Sequence, residues 1–139
     1  MLSGLFLLAD QLLKFAARSN PDFSFYLFPN WLGWEYFSNS GIAFSLPFPN
    51  LLLIIFTPLI ILGLLVFLSK QKSPSKYFTL GILLIVFGAV SNLTDRILFG
   101  ATTDYFRIIS SIINLADAMI VAGAALLLAE EYKRAKKQS

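Results

Sequence analysis

Residues 51–68 read LLLIIFTPLIILGLLVFL, an uncharged run broken only by Thr57, Pro58 and Gly63. A stretch this long and apolar approaches the ~20 residues that cross a hydrocarbon core as a helix. Pro58 is compatible with that reading, since neighbouring helices can satisfy the backbone groups it frees within a bilayer. Two further runs lie downstream. Tyr77 to Leu93 is one, and Ile108 to Ala129, interrupted by Ser110, Ser111, Asn114 and Asp117, is the other. Met1 to Ala17 forms a weaker fourth, broken by Asp10 and Lys14. It lacks a basic n-region and its apolar part carries charge, so it reads as a first helix and not as a cleaved leader. At ~1.5 Å per residue it reaches only about 25 Å. The expectation is therefore that it enters the bilayer partway, or that residues precede Met1.

Bulk composition agrees. The chain is 57% hydrophobic and 14% charged, with a mean hydropathy of +0.72, whereas soluble domains carry roughly 25% charged residues. The predicted fold is an all-α membrane protein of one domain, 1–139. It has four transmembrane helices at about 1–17, 51–68, 77–95 and 108–130, and an outer loop at 18–50.

Lys70, Lys72 and Lys76 lie between the second and third helices, and Lys133, Arg134, Lys136 and Lys137 close the chain. The positive-inside rule makes both segments cytoplasmic, and the N-terminus with them. Residues 18–50 and 96–107 then face outward. The net charge of +3 is concentrated at helix ends, where it orients the chain among membrane lipids, and gives no argument for nucleic acid. Asp10, Asp22, Glu35, Asp95, Asp104 and Asp117 fall toward the outer side, and only Glu130 and Glu131 inside.

The outer loop is rich in aromatic residues (Phe23, Phe25, Tyr26, Phe28, Trp31, Trp34, Tyr36, Phe37), punctuated by Pro21, Pro29, Gly33, Gly41, Pro47 and Pro49. Short aromatic runs between such breakers predict two or three small strands. Trp and Tyr favour the headgroup layer. A small extracytoplasmic β element on the membrane surface, gripping a peptide or a lipid, is expected.

Polar residues inside apolar runs carry the functional signal, because a carboxylate at mid-bilayer costs about 2.5–3.5 kcal/mol on insertion scales. Asp10 and Lys14, four apart, share a helix face and can pair near the interface. Asn92, Asp95 and Arg96 form one stripe at the outer end of the third helix, where Arg96 either neutralises Asp95 or meets substrate. Asn114 and Asp117 share a face about one turn into the fourth helix. Asp104 lies in a loop and gains weight from pairing with Asp117.

With neither cysteine nor histidine, thiol nucleophiles, imidazole bases and the usual zinc sites are excluded. Two close carboxylates cannot both ionise easily, so one keeps a proton while the other acts as a base. Such a pair activates water against an amide carbonyl and protonates the leaving nitrogen. That chemistry needs no metal and no cofactor. Two other readings stay open here: a proton-coupled transporter using the same carboxylates as a relay, and a non-catalytic assembly protein with polar interhelical contacts.

Five motifs in order are similar to the lipoprotein signal peptidase family, signal peptidase II. They are Asp10-Gln11-x-x-Lys14, Asn39-x-Gly41-x-Ala43-Phe44-Ser45, Gly88-Ala89-x-x-Asn92-x-x-Asp95-Arg96, Asp104-Tyr105 and Asn114-Leu115-Ala116-Asp117. The resemblance implies an aspartic endopeptidase of the bacterial cytoplasmic membrane with Asp104 and Asp117 as catalytic pair. It places Asn92, Arg96 and Asn114 around that pair, Asn39 and Gly41 in an outer-loop motif, and Asp10 and Lys14 in a structural or substrate-positioning role. The implied substrates are diacylglyceryl-modified prolipoproteins, cut before the lipid-modified cysteine. Two positions depart from the family pattern: Ser91, where glycine is usual, and Tyr105, where phenylalanine is usual.

Overall fold

The computed structural model describes residues 2–29, 31–42, 46 and 48–138. Ala43, Phe44 and Ser45 of the outer-loop motif lie outside the described residues. The described residues form four helices: α1 (Leu2–Ser19), α2 (Asn50–Ser69), α3 (Lys76–Phe99) and α4 (Leu115–Gln138). Four strands accompany them: β1 (Ser24–Phe28), β2 (Leu32–Asn39), β3 (Thr102–Ile108) and β4 (Ser111–Ile113). They form one antiparallel sheet in the order β1-β2-β3-β4.

The fold is therefore not all-α. The expected strands of the outer loop are β1 and β2, and residues 102–113 add two more. The sequence predicts a loop there, running into the fourth helix at residue 108. Ile108, Ile112 and Ile113 are β-branched, and such side chains suit a pleated surface better than a helical one; Ile109 sits in the turn between β3 and β4 at a φ of 55°. The fourth helix consequently begins at Leu115, seven residues later than expected, just after Asn114, an effective N-cap residue.

α2 and α3 are long and apolar enough to cross a membrane, with mean hydropathies of 3.1 and 1.8 over their best windows. No residue of α2 is buried within the protein. α1 is inverted relative to a helix in water. Ser3, Asp10, Lys14 and Ala17 are buried, whereas Leu5, Phe6, Leu8, Leu12, Leu13 and Phe15 are exposed. An apolar exterior around a polar interior is the arrangement a lipid environment favours.

Small residues set the spacing of α3 and α4. A Cβ on Gly88 would come within 2.7 Å of the Ala116 carbonyl, and one on Gly123 within 2.5 Å of the Gly81 carbonyl. Any larger side chain would push the backbones apart. Phe78, Ile82 and Val86 form the apolar core on the N-terminal half of α3. The C-terminal half of the same helix carries Ser91, Asn92 and Asp95, all buried. α3 ends at Gly100, whose φ of 76° is left-handed and lets the chain turn into β3.

The sheet register places Phe37 opposite Asp104 and Asn39 opposite Thr102. One polar cluster staples three strands. Arg107 donates to both Glu35 carboxylate oxygens, Nε at 2.6 Å and Nη2 at 2.7 Å. The Tyr26 hydroxyl donates to Glu35 Oε2 at 2.6 Å. The Arg107 hydrogen bonds hold the Glu35 carboxyl below its ordinary range. Bidentate geometry of this kind resists shear, so the register that sets Asp104 beside Asn39 is fixed at the far end of the sheet.

Candidate active site

Asn114 organises the site. It stands immediately before α4, and its Oδ1 accepts from Asp117 N at 2.8 Å while its own N donates to Asp117 Oδ2 at 3.3 Å. This reciprocal pairing has the logic of a capping box and fixes the Asp117 side chain on the first turn. The Asn114 amide also reaches across to β3, donating to Asp104 Oδ1 at 2.6 Å and approaching the Thr103 carbonyl at 3.3 Å. One residue thus binds both aspartates.

Asn92 on α3 completes the link. Its Nδ2 donates to Asp117 Oδ1 at 2.8 Å, and its Oδ1 accepts from Asn114 Nδ2 at 3.1 Å and from Lys14 Nζ at 2.8 Å. The second oxygen of Asp104 accepts from Asn39 Nδ2 at 2.9 Å. Asn39 in turn accepts from Gly41 N at 3.0 Å, a local turn that aims its amide inward. Asp104 is 1% exposed, and Asn39, Asn92 and Asn114 are also buried, but Asp117 is only half-buried. Asp117 is therefore the more exposed member of the pair.

Burial, and after it the charge of Asp117, push the Asp104 carboxyl up to about 7, although the amides of Asn39 and Asn114 act in the opposite direction. Asp104 accordingly holds its proton through most of the acidic range. The Tyr105 hydroxyl is raised above the ordinary phenol range by burial and then by Asp10, so it serves as a fixed donor and does not titrate near neutrality.

Asp10, Lys14 and Asp95 form a second, adjoining cluster. Asp10 and Lys14 do pair, at 2.9 Å, and both side chains are fully buried within the protein. Lys14 Nζ also lies 3.5 Å from Asp95 Oδ2. Asp95 faces α1, where Arg18 Nη1 approaches Oδ1 at 3.4 Å, and it accepts from Thr103 N at 2.8 Å. Arg96 does not neutralise it. Its guanidinium instead donates from Nη2 to the Gly41 carbonyl at 3.2 Å, tying α3 to the turn after β2. The stripe Asn92, Asp95, Arg96 therefore splits three ways, toward the aspartate pair, toward α1 and toward the outer loop.

Sequence reasoning gives no role to Arg18, Gln11 or Thr103. Arg18 follows Lys14 by four, as Lys14 follows Asp10, and that repeat was a usable signal. Gln11 Nε2 donates to Ser91 Oγ at 2.8 Å, and Arg18 Nη1 to Thr103 Oγ1 at 2.9 Å. The two departures from the family pattern converge on one carboxylate. Ser91 donates to Asp10 Oδ2 at 2.6 Å, and Tyr105 to Asp10 Oδ1 at 2.9 Å.

The family described as Signal peptidase (SPase) II matches residues 2–133. The lipoprotein signal peptidase of Halothermothrix orenii is 42% identical over 104 residues, covering 73% of this chain and 70% of the relative. That of Streptococcus pneumoniae is 34% identical over 104 residues, covering 72% and 68%. A bacterial membrane enzyme solved by the in meso method at 2.3 Å resolution aligns with a TM-score of 0.89, covering 99% of this chain and 88% of that one. Its identity of 24% makes it evidence for the fold alone. With one family spanning nearly every described residue and relatives above 30% identity over most of their length, the chain belongs to the signal peptidase II family.

Proposed function

We propose that this protein is a membrane aspartic endopeptidase that removes the signal peptide from prolipoproteins, cutting before the diacylglyceryl-modified cysteine. The observation that carries the reading is the continuous network Asp104–Asn114–Asn92–Asp117, in which two carboxylates from different elements share one set of amide donors. Asp117, half-buried and held by two donors, is the base that takes a proton from the attacking water. Asp104, which keeps its proton below about 7, supports the developing oxyanion and supplies the proton for the leaving nitrogen. Asn39 and Gly41 belong to the outer-loop element that helps hold the substrate. The relay-type transporter finds no support among relatives that are peptidases by name.

In this reading the chain is a single domain, and α1 and α4 cross the membrane together with α2 and α3. Both termini are cytoplasmic, the sheet lies on the extracytoplasmic surface, and membrane lipids surround the apolar exterior. The native sequence has no cysteine, so single introduced thiols report topology cleanly. Ser24→Cys reacts with a membrane-impermeant maleimide in intact cells, and Lys72→Cys is protected until the membrane is opened. Labelling of Lys72→Cys from outside would invert the proposed orientation.

The direct test is incubation of the purified protein with a diacylglyceryl-modified prolipoprotein peptide. Release of the signal peptide at the bond before the cysteine is expected, and folded protein that leaves the lipidated peptide intact would overturn the proposal. The same assay carries a pH prediction. The active pair holds one proton, which resides on Asp104 and is lost as pH rises through about 7. kcat/KM is therefore flat just below that value and falls about tenfold per unit above it. The inflection belongs to the pair as a whole. A rate that climbs steadily from pH 6 to 9 would contradict the singly protonated pair.

A further inference from the structure

Tyr105 follows Asp104 in β3, and its side chain leads away to a different partner set. The ring packs on Trp34 with centroids 5.0 Å apart, and the residue is 3% exposed. The hydroxyl donates to Asp10 Oδ1 at 2.9 Å and accepts from Leu115 N at 3.0 Å. Leu115 is the first residue of α4, two before Asp117. The next backbone donor, Ala116 N, goes to Asp10 Oδ1 at 3.2 Å, and the third, Asp117 N, to Asn114 Oδ1 at 2.8 Å.

The first N–H groups of a helix have no partner within it. Here three in succession are taken by side chains from β3, from α1 and from the residue before the helix. Only the last is local. The other two join the opening turn of α4 to the rest of the protein. A path of one side chain and one hydrogen bond therefore runs from the backbone beside Asp104 to the backbone that carries Asp117. Asp10, itself gripped by Lys14 and Ser91, orients the hydroxyl so that its lone pair faces Leu115 N.

We propose that Tyr105 is a positioning residue for the peptidase reaction, its hydroxyl setting the placement of α4 against β3 and hence the spacing of the two carboxylates. The inference rests on the aspartic reading of Asp104 and Asp117. Misplacement of reacting groups by a fraction of an ångström is costly to turnover and much less so to binding.

The test is Tyr105→Phe, which deletes one oxygen and keeps the ring against Trp34. With the lipidated peptide as substrate, kcat falls about tenfold, KM stays within about twofold, and the unfolding temperature in detergent moves by no more than about 4 °C. Leu115→Pro removes the same bond from the other side, because proline is tolerated at the first helical position and lacks the N–H. It reproduces the loss, Leu115→Ala does not, and the double variant Tyr105→Phe/Leu115→Pro is no slower than the worse single one. Wild-type kcat for Tyr105→Phe overturns the proposal, as does a fall in kcat matched by an equal loss of folded protein. Asp104→Asn assayed alongside separates the two claims. Turnover by that variant would overturn the aspartic reading, whereas its silence beside a fully active Tyr105→Phe would overturn the positioning role alone.

Discussion

Asp104→Asn and Asp117→Asn each lower the cleavage rate by a factor of about a thousand or more, and the double variant is little worse than either. A positioned acid or base contributes typically 10²–10⁴-fold, and groups that act as one unit lose nearly everything when either is removed. An amide at 117 cannot take a proton from water. An amide at 104 cannot give one to the leaving nitrogen. The surroundings make asparagine a poor mimic in a second way. Asp104 Oδ1 and Oδ2 each accept from an amide, at 2.6 and 2.9 Å, so an NH₂ group there must face a donor. One buried polar group left unmatched costs about 1–3 kcal/mol, and Asp104→Asn should therefore also lower the unfolding temperature. Binding of the lipidated peptide, measured separately, is expected to survive in Asp117→Asn, whose site is more open. Multiplicative losses in the double variant would show that the two carboxylates work independently, and turnover by Asp117→Asn within tenfold of wild type would remove it as the base.

Much of this site was legible in the sequence because a bilayer makes polar residues informative. Asp10, Asn92, Asp95, Asn114 and Asp117 stand out against leucine and isoleucine, and their positions along each run indicate depth. What the sequence concealed was direction. Asn92, Asp95 and Arg96 occupy adjacent points of one helix surface, yet α3 is wedged between α1, α4 and the turn after β2. Asn92 therefore reaches Asp117, Asp95 turns to α1 and Arg96 to the Gly41 carbonyl, with Lys14 alone touching both of the first two. The pairing of Arg96 with Asp95 was plausible from spacing, but Lys14 and Arg18 on α1 had already claimed that carboxylate.

The strands at 102–113 were hidden for a related reason. Isoleucines 108, 109, 112 and 113 merge into the apolar run of α4, and periodicity cannot separate a short buried strand from a helix start. The N-cap at Asn114 was the available boundary signal, and it was read as a functional residue. It is both. Capping α4 and bridging the two aspartates are one arrangement of the same side chain. Ser91 and Tyr105 were visible only as deviations from a family pattern, since nothing in spacing indicates that residues 10, 91 and 105 meet.

The buried cation on α1 leads to the second large effect. Lys14→Met destabilises the folded protein by about 3–5 kcal/mol, the range found when one partner of a buried ion pair is removed. Nζ lies 2.9 Å from Asp10 Oδ2, 2.8 Å from Asn92 Oδ1 and 3.5 Å from Asp95 Oδ2, with no exposed side-chain surface. Its removal leaves two carboxylates facing each other across α1 and α3. Asp95 keeps Arg18 and Thr103 N, but Asp10 retains only neutral donors. The loss also takes from Asn92 Oδ1 the shorter of its two donors, leaving Asn114 Nδ2 alone, and Asn92 orients Asp117 through its own amide, so activity per folded molecule should fall as well. Adding Asp10→Asn to Lys14→Met removes one of the stranded charges and should recover part of the stability, whereas independent contributions would make the double variant worse than either single one. Thermal unfolding in detergent across the four proteins decides the matter. A Lys14→Met protein within about 1 kcal/mol of wild type would mean that the neutral donors around Asp10 suffice, and that the cation is not what holds α1 against the site.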